Sequence, residues 1–417
     1  MIPRYNRPKI EAIWSDQNKY QIWTDIECLI AEKLSNKNKV FVVTEKPNYS
    51  IGKIPTRYTK STFYYEKWKN IEIYRSPTIE RGKDSKFKLL LNYLNFILTS
   101  PIVLLKSFKK KKIDIIFIYA TSPIFQALPV IIFAKFYKIP VVLWVQDIWP
   151  DVLKDLNIIK RKLILNFIGF LVNKIYTNSD YIFTQSESFK KKIFKKIKNK
   201  IEVLFNPESK IKKQQQFKIK RIKKDFIITY AGNIGKAQSF ETLVKAVKKI
   251  KNSKIKIHIY GDGSEKNKLK KIITKFNLME NIKLFDPVSK KKINIILSKS
   301  DAFLLILAKG GGLSSTLPAK IQTYVSHFKP IIVSADGESY NFVKKNKLGF
   351  VSKAESSVSL HKSIIKTQLL KKNDLKLIRN RSKAVFERDF EIDKWITMLE
   401  LKLEKCAEDY KKNLNIY

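Results

Sequence analysis

Short runs of β-branched and aromatic residues alternate with amphipathic stretches along almost the whole chain from residue 39 onward. This alternation constrains the fold most, because it is typical of βαβ units, which build a parallel sheet covered by helices. The strand-like runs lie at 40–44, 71–75, 113–119, 140–145, 180–185, 201–205, 225–232, 254–263, 281–286, 301–307, 329–334 and 349–352. The pattern therefore predicts an α/β protein.

One stretch interrupts the alternation. Residues 207–224, PESKIKKQQQFKIKRIKK, are polar, basic and aperiodic, which indicates a linker. We therefore expect a Rossmann-like domain at 37–206 and a second one at 225–385, with 386–417 as a closing helical segment. Two doubly wound domains that face each other across a ligand cleft are the architecture this predicts.

Composition narrows the class further. Hydrophobic residues make up 44% of the 417 residues, more than a disordered chain carries. The formal net charge of +46 comes almost entirely from lysine, so we interpret it as a solvated surface and expect no nucleic-acid partner. The two cysteines, Cys28 and Cys406, lie far apart, so neither a disulfide framework nor a metal site is predicted. With no signal peptide visible, we expect a cytoplasmic protein.

The segment 87–114 is unusually apolar, because residues 89–105 carry no charge and four lysines follow at 109–112. It is short for a membrane span, which needs roughly 20 residues. Two helices that are broken at Pro101, with an apolar face and a basic end, would suit a membrane interface. The alternative is a buried helix of the first domain with a solvated basic tip.

Glycine-rich turns follow several predicted strands of the second domain. In TYAGNIGKAQSFETLVKAV, 229–247, Gly232 and Gly235 separate a strand from a helix that begins near Ser239. Backbone N–H groups and the positive end of the helix dipole meet there, which favours a diphosphate, and Lys236 adds a charge. Similar turns contain Gly261 and Gly263 in YGDG and the triple glycine 310–312, which is followed by Lys320. The alternative is a set of plain βα turns that serve packing alone.

Residues 37–400 resemble GT-B retaining glycosyltransferases of group 1, and within them the bacterial surface-polysaccharide branch that includes fucosamine transferases. The residues that carry this resemblance are TEKPNYSIGKI (44–54), ATSPIFQALP (120–129), VVLWVQDIWPDVL (141–153), YAGNIGKAQSFETLVKA (230–246), YGDG (260–263) and LPAKIQTY (317–324).

The resemblance implies that the second domain binds a UDP-sugar, which is a substrate, and that no cofactor and no metal are needed. It implies that the first domain holds a polyprenyl-diphosphate-linked saccharide acceptor. The final helix would cross back to that first domain. The implied activity is transfer of a sugar, by expectation an N-acetylated one, in O-antigen or capsule biosynthesis. The enzyme would act as a peripheral protein at the inner face of the cytoplasmic membrane.

The same resemblance assigns roles to individual positions. Donor contacts fall on Gly232, Asn233, Gly235, Lys236, Gln238, Gly261, Gly263, Gly311, Gly312, Ser315, Lys320 and Thr323. Ser315 and Thr323 occupy positions where many members of the family have glutamates, one of which binds the ribose. Asp147 is the expected catalytic residue, which would hold acceptor hydroxyls or balance an oxocarbenium-like centre. Its alternative role is that of a helix cap.

The opening residues differ from all of this. MIPRYNRPKIEAIWSDQNKYQIWTDIECLIAEKLS, 1–35, resembles the start of adenylosuccinate lyase. We therefore expect a lyase-like helical segment at 1–36 and a first domain that lacks its first strand, which weakens the acceptor domain. Two alternative functions stay open: a lyase-like enzyme, which the opening residues suggest, and a non-catalytic basic protein that binds membranes, which the net charge of +46 suggests.

Overall fold

A computed structural model describes residues 25–48, 52–82, 86–155, 159, 161–197, 200–211, 225–250, 254–310 and 312–414. The chain divides into two compact units. Unit 1 holds the described residues up to Leu204 together with those from Trp395 onward, and unit 2 holds Phe205–Lys394. Most of the lyase-like segment, Gly311, and residues 212–224 of the expected linker lie outside the described residues.

The elements of unit 1 follow the alternating sequence pattern. In chain order they are α1 (Asp25–Leu34), β1 (Val40–Glu45), β2 (Tyr64–Trp68), β3 (Ile71–Ser76), α2 (Lys86–Phe108), β4 (Ile116–Ala120), α3 (Leu128–Phe136), β5 (Val141–Val145), α4 (Asp151–Asp155), α5 (Lys162–Thr177), β6 (Tyr181–Thr184), α6 (Glu187–Phe194) and β7 (Lys200–Val203). Short 3₁₀ turns lie at Thr56–Tyr58 and Ile124–Ala127.

Unit 2 begins with the strand that follows the linker. Its elements are β8 (Phe226–Ala231), α7 (Phe240–Val247), β9 (Ile255–Tyr260), α8 (Lys266–Lys275), β10 (Ile282–Phe285), α9 (Lys290–Lys299), β11 (Ala302–Ile306), a 3₁₀ turn (Gly312–Ser315), α10 (Ala319–Ser326), β12 (Ile331–Ser334), α11 (Glu338–Lys345), β13 (Gly349–Ser352), α12 (Ser357–Gln368) and α13 (Lys372–Asp389). The last helix, α14 (Ile392–Leu414), returns the chain to unit 1.

The strands of unit 2 form one parallel sheet in the order β10-β9-β8-β11-β12-β13. The strand order reverses between β8 and β11, which makes this edge the topological switch point where doubly wound sheets bind ligands. Burial on both faces explains the continuous apolar run AFLLI of β11, which is fully buried. The predicted α/β, doubly wound class is confirmed.

The strands of unit 1 form two separate sheets, β1-β3-β2 and β4-β5-β6-β7. Among the described residues, β1 pairs with β3 alone and β4 pairs with β5 alone. A cavity of about 610 Å³ lies beside both strands; Val40 and Val43 of β1 and Ile116 and Phe117 of β4 contribute to its lining. Leu403 of α14 also lines this cavity.

One of the two interpretations of the apolar segment is wrong. Residues 86–108 form one helix with Pro101 inside, not two helices broken at the proline. The missing N–H removes a single hydrogen bond, and the buried side chains of Phe96, Val103 and Leu104 on both sides of it hold the helix to the core. In addition, β2 was not predicted. It pairs antiparallel with β3, where the buried Arg75 side chain lies 2.8 Å from Glu66.

Candidate active site

The turn after β8 depends on two glycines. Gly232 has a φ of +137° and its N–H donates to the carbonyl of Tyr260, 2.9 Å away, at the end of β9. A Cβ atom added at Gly261 would lie 1.9 Å from the Gly232 oxygen, so only glycine allows the two backbones to approach this closely.

The loop after β8 and the loop after β9 make a second backbone contact, two residues after the first in the loop after β8. The N–H of Ile234 donates to the carbonyl of Asp262 at 2.7 Å. A Cβ atom at Gly263 would lie 2.4 Å from the Ile234 oxygen. The loops 232–235 and 261–263 are therefore held together by backbone contacts.

Side chains fix the remainder of the first turn. The N–H of Gly235 donates to the Gln238 side-chain oxygen at 3.0 Å, and the Asn233 amide reaches the same oxygen at 3.5 Å. Helix α7 then begins at Phe240, with Ser239 as its N-cap residue. Lys236 is exposed and, together with Gln238, lines a neighbouring cavity of about 260 Å³.

Lys320 lies against this turn from the first turn of α10. Its Nζ donates to the Tyr230 hydroxyl at 2.5 Å and stands 4.1 Å from the centre of the Tyr230 ring. A Cβ atom at Gly232 would lie 2.3 Å from Lys320 Cε, so the amine is adjacent to the glycine turn. Burial lowers the pKa of Lys320 to about 7. An anion at the turn would favour the charged amine.

The third predicted loop, which follows β11, contacts the segment after the first glycine turn. The N–H of Ala308 donates to the carbonyl of Ala237 at 2.9 Å. Gly312 and the buried Ser315 delimit the 3₁₀ turn that follows, and the chain then enters α10. Gly311 lies outside the described residues.

Gly337 marks a contact that the sequence reasoning missed. It has a φ of +70°, and a Cβ atom there would lie 2.0 Å from the carbonyl oxygen of Ser314. The start of α11 therefore packs against the third loop. The dipeptide Asp336-Gly337 just after β12 was the available signal, since such a pair marks a tight turn.

Thr323 has a different role from the other predicted donor residues. Its hydroxyl donates to Glu208 Oε2 at 2.8 Å, and the other oxygen of Glu208 lies 3.7 Å from Lys290 Nζ. Glu208 was not singled out from the sequence, because it lies in a stretch read as linker. The structure thus places the Glu208 carboxylate beside Thr323. Position 323 is one where, by the resemblance described above, many glycosyltransferases have a glutamate.

Asp147 belongs to unit 1 and follows β5. Ser122 Oγ donates to Asp147 Oδ2 at 2.7 Å, and Trp149 Nε1 donates to the same serine oxygen at 3.0 Å. A helix cap would accept from a backbone N–H at the start of α4, whereas this bond comes from a side chain in the loop after β4. The carboxylate is therefore held by a neighbouring loop.

Comparison with known proteins places these features in a family context. Residues 211–384 match the family described as glycosyl transferases group 1. An uncharacterized glycosyltransferase of Methanocaldococcus jannaschii is 28% identical over 60% of this chain, and the aligned part spans 65% of that protein. A glycosyl transferase of Escherichia coli named for colanic acid biosynthesis is 25% identical over 72% of this chain and 76% of its own length.

Solved structures resemble the chain over nearly its whole length. Sucrose-phosphate synthase from Thermosynechococcus elongatus superposes with a TM-score of 0.68 at 11% identity, covering 90% of this chain and 91% of that one. The Anabaena protein HepE, solved with UDP and glucose, has a TM-score of 0.62 at 12% identity and covers 97% and 98%.

A separate, short match is to a different class of enzyme. Adenylosuccinate lyase of Bacillus subtilis is 37% identical over 59 residues, which is 13% of this chain and 14% of that enzyme. The resemblance of the opening residues is therefore real but partial, and it provides no support for a lyase function of the remaining chain.

Proposed function

We propose that this chain, which has the GT-B fold and a group 1 glycosyltransferase domain at residues 211–384, is an enzyme that transfers a sugar from a UDP-sugar to an acceptor. The observation that carries this proposal is the position of Lys320 against the Gly232 turn, at the switch point of the unit 2 sheet.

Glycosyl transfer requires that the departing diphosphate be stabilised as its bond to the sugar breaks. Preorganised donors and positive charges do this best when they need no rearrangement during the reaction. Here the glycine turn permits close approach of the phosphate oxygens, and the start of α7 and the Lys320 amine add positive potential. The three interlocked loops would keep this arrangement rigid.

UDP is our choice of nucleotide because the similar structure of HepE was solved with UDP. The 3₁₀ turn Gly312–Ser315 lies in the loop that we expect to contact the sugar. Thr323 and Glu208 form a hydrogen-bonded pair one helical turn beyond Lys320, and we infer that this pair reaches the ribose.

Asp147 is our candidate catalytic residue. Its carboxylate keeps a fixed orientation because Ser122 donates to one of its oxygens. A carboxylate held in this way can accept from an acceptor hydroxyl or stabilise the positive charge that develops at the anomeric carbon. Substitution by asparagine would retain the shape and remove the charge.

For the acceptor we infer a polyprenyl-diphosphate-linked saccharide, and for the transferred group an N-acetylated sugar. The support is the likeness to an Escherichia coli protein named for colanic acid biosynthesis. Lipid-linked saccharides reside in a membrane, so the enzyme would work as a peripheral protein at the inner face of the cytoplasmic membrane.

The test is to incubate the purified chain with radiolabelled UDP-sugars and polyprenyl-diphosphate saccharides, and to measure UDP binding by calorimetry. We expect UDP binding and label transfer, with Asp147→Asn losing transfer while it retains UDP binding. If no donor is turned over and UDP does not bind, the proposal is wrong. If the chain binds membranes and substitution of Gly232 changes none of its measured properties, a non-catalytic protein is favoured instead.

A further inference from the structure

Helix α2 exposes a continuous apolar stripe. Phe87, Leu90, Leu94, Leu98, Ile102 and Leu105 are all exposed, with Leu98 at 71%. Their spacing of three and four residues keeps them within an arc of about 120° around the helix. The part of the helix circumference outside this arc is buried in the core of unit 1 through Phe96, Val103 and Leu104. The helix therefore has two apolar sides, and the fold covers one of them.

Two nearby helices of unit 1 also expose large apolar side chains. Helix α3, which packs against α2, exposes Ile132 and Phe136, the latter at 79%. Helix α5 packs against the 3₁₀ turn that precedes α3, and it exposes Leu163, Ile164, Phe167 and Phe170. We call the exposed apolar side chains of α2, α3 and α5 the three-helix surface.

This concentration is unusual for a folded chain. Of the 22 large apolar side chains that are exposed among the described residues, 12 belong to the three-helix surface. Monomeric soluble proteins rarely expose contiguous apolar patches of more than a few hundred Å², and larger patches mark a partner or a membrane.

Charge distinguishes between those two partners. The helices α2, α3 and α5 contain no aspartate or glutamate. Exposed basic residues lie at their ends: Lys106, Lys109, Lys110, Lys135, Lys138, Arg161, Lys162 and Lys174. The cores of protein interfaces are depleted in lysine. An apolar face edged by lysines, by contrast, suits the boundary between acyl chains and anionic headgroups.

Helix α2 would not cross such a membrane. Residues Phe87–Phe108 are long and apolar enough to span a bilayer by length and composition. However, the Asn92 amide donates to the Ile79 carbonyl at 2.9 Å, and the Asn95 amide donates to the Pro77 carbonyl at 2.6 Å. Spanning would break these bonds and expose the buried side of the helix, so the exposed stripe suits an orientation in the plane of the interface.

We propose that the three-helix surface docks unit 1 into the interface of an anionic bilayer, with α2 lying in the membrane plane. Docking itself is independent of sugar transfer, although its use in reaching a lipid-linked acceptor rests on the function proposed above.

The test measures co-sedimentation of the full chain with phosphatidylcholine vesicles, with and without phosphatidylglycerol. The key variant is Leu90→Gln/Leu94→Gln/Leu98→Gln, because glutamine retains helix propensity at exposed positions. A matched control on unit 2 is Leu369→Gln/Leu375→Gln/Leu377→Gln, which also replaces three exposed leucines.

We expect the wild-type chain to bind the anionic vesicles and the unit 2 control to bind them with the same affinity. The α2 variant should bind them at least about tenfold more weakly. The variant Lys106→Gln/Lys109→Gln/Lys110→Gln should lose the preference for phosphatidylglycerol. Equal vesicle binding by the wild-type chain and the α2 variant would overturn the proposal. The proposal would also be overturned if the wild-type chain formed a dimer that binds no vesicles and the α2 variant were a monomer.

A second measurement covers the case in which the triple variant misfolds. Both native cysteines are buried, so a single Leu98→Cys change allows selective labelling with an environment-sensitive dye. A blue shift of its emission on adding anionic vesicles supports docking, and an unchanged emission contradicts it. Vesicle binding without UDP binding or turnover would leave the docking proposal intact and refute the proposed enzyme function.

Discussion

Within the part of the chain that the structure describes, the sheets of the two units differ in their continuity. In unit 2, β8 lies at the centre of six parallel strands and has neighbours on both sides, β9 and β11. In unit 1, the described strands form a three-stranded and a four-stranded sheet, and the cavity of about 610 Å³ adjoins β1 of one and β4 of the other. The cavity of unit 1 therefore occurs where a doubly wound sheet would place its central strand.

The difference shows what a central strand contributes. In unit 2 the end of β8 carries Gly232, and the glycine turn, Lys320 and the start of α7 assemble around it. Among the described residues of unit 1, no glycine turn follows a central strand, and its candidate residue Asp147 comes from β5 instead. Unit 2 thus contains the glycine turn and the lysine that we propose bind the diphosphate, while unit 1 contains the Asp147 carboxylate and an exposed apolar surface.

We expect the largest effect from completing the sheet of unit 1. We propose that it lacks its first strand, so replacing residues 1–13 with an apolar strand of six residues and a glycine turn should stabilise it. A gain of about 4 kcal/mol in its free energy of unfolding is expected, because each large apolar side chain contributes roughly 1.5–3 kcal/mol against an ordering cost of about 1.5 kcal/mol per residue.

The tryptophans make this measurement specific. All six lie outside residues 205–394, so tryptophan fluorescence during unfolding in guanidinium chloride reports unit 1. The control carries the same inserted strand with two of its apolar residues changed to lysine, since a strand buried on both faces cannot accommodate them. If the native chain already unfolds as cooperatively and at the same midpoint as the completed one, unit 1 does not lack a strand.

The next effect concerns unit 2. Gly261→Val should abolish measurable UDP binding and lower the free energy of unfolding of unit 2 by about 3 kcal/mol, because the new side chain collides with the Gly232 backbone. Calorimetry with UDP and far-UV circular dichroism during thermal unfolding measure the two quantities. Gly169→Ala is the control. A Cβ atom there meets only Pro150 at 3.8 Å, so UDP binding should be unchanged.

The contrast between the units also shows what could be predicted from sequence. The glycine loops of unit 2 were predictable, because a turn after a buried strand lies at the carboxyl edge of the sheet whatever the neighbouring side chains are. The hydrogen bond between Lys320 and Tyr230 was not predictable, because the sequence of a strand does not indicate which distant helix a tyrosine hydroxyl contacts. Strand β2 was missed because YYEKW carries two charges, and the burial of Glu66 depends on Arg75 of the next strand.

A third prediction uses the low pKa of Lys320. Burial lowers it to about 7 in the free protein, and a bound diphosphate would raise it by favouring the charged amine. UDP affinity should therefore decrease as the pH rises above about 7, since binding must then take up a proton. Lys320→Met should weaken UDP binding by about 2 kcal/mol at neutral pH, the cost of one charge-assisted hydrogen bond.

Calorimetric titrations from about pH 7 to pH 9, in buffers of different ionisation enthalpy, measure this proton uptake. The control is Lys320→Arg, whose side chain stays charged over the whole range, so its UDP affinity should not fall with pH. The same pH dependence in the wild-type and Lys320→Met proteins would show that another group takes up the proton.

The smallest effect belongs to the pair formed by Glu208 and Thr323. The Thr323 hydroxyl donates to Glu208 at 2.8 Å, whereas the Lys290 amine lies 3.7 Å from the carboxylate and its side chain is 44% exposed, so the hydrogen bond matters more than the ion pair. We expect Glu208→Gln to lower the free energy of unfolding of unit 2 by about 1 kcal/mol. A double-mutant cycle with Thr323→Val should give a coupling energy of about 1 kcal/mol by circular dichroism. The exposed Glu280→Gln provides the control, and a coupling energy of zero would mean that the hydrogen bond between Thr323 and Glu208 does not stabilise unit 2.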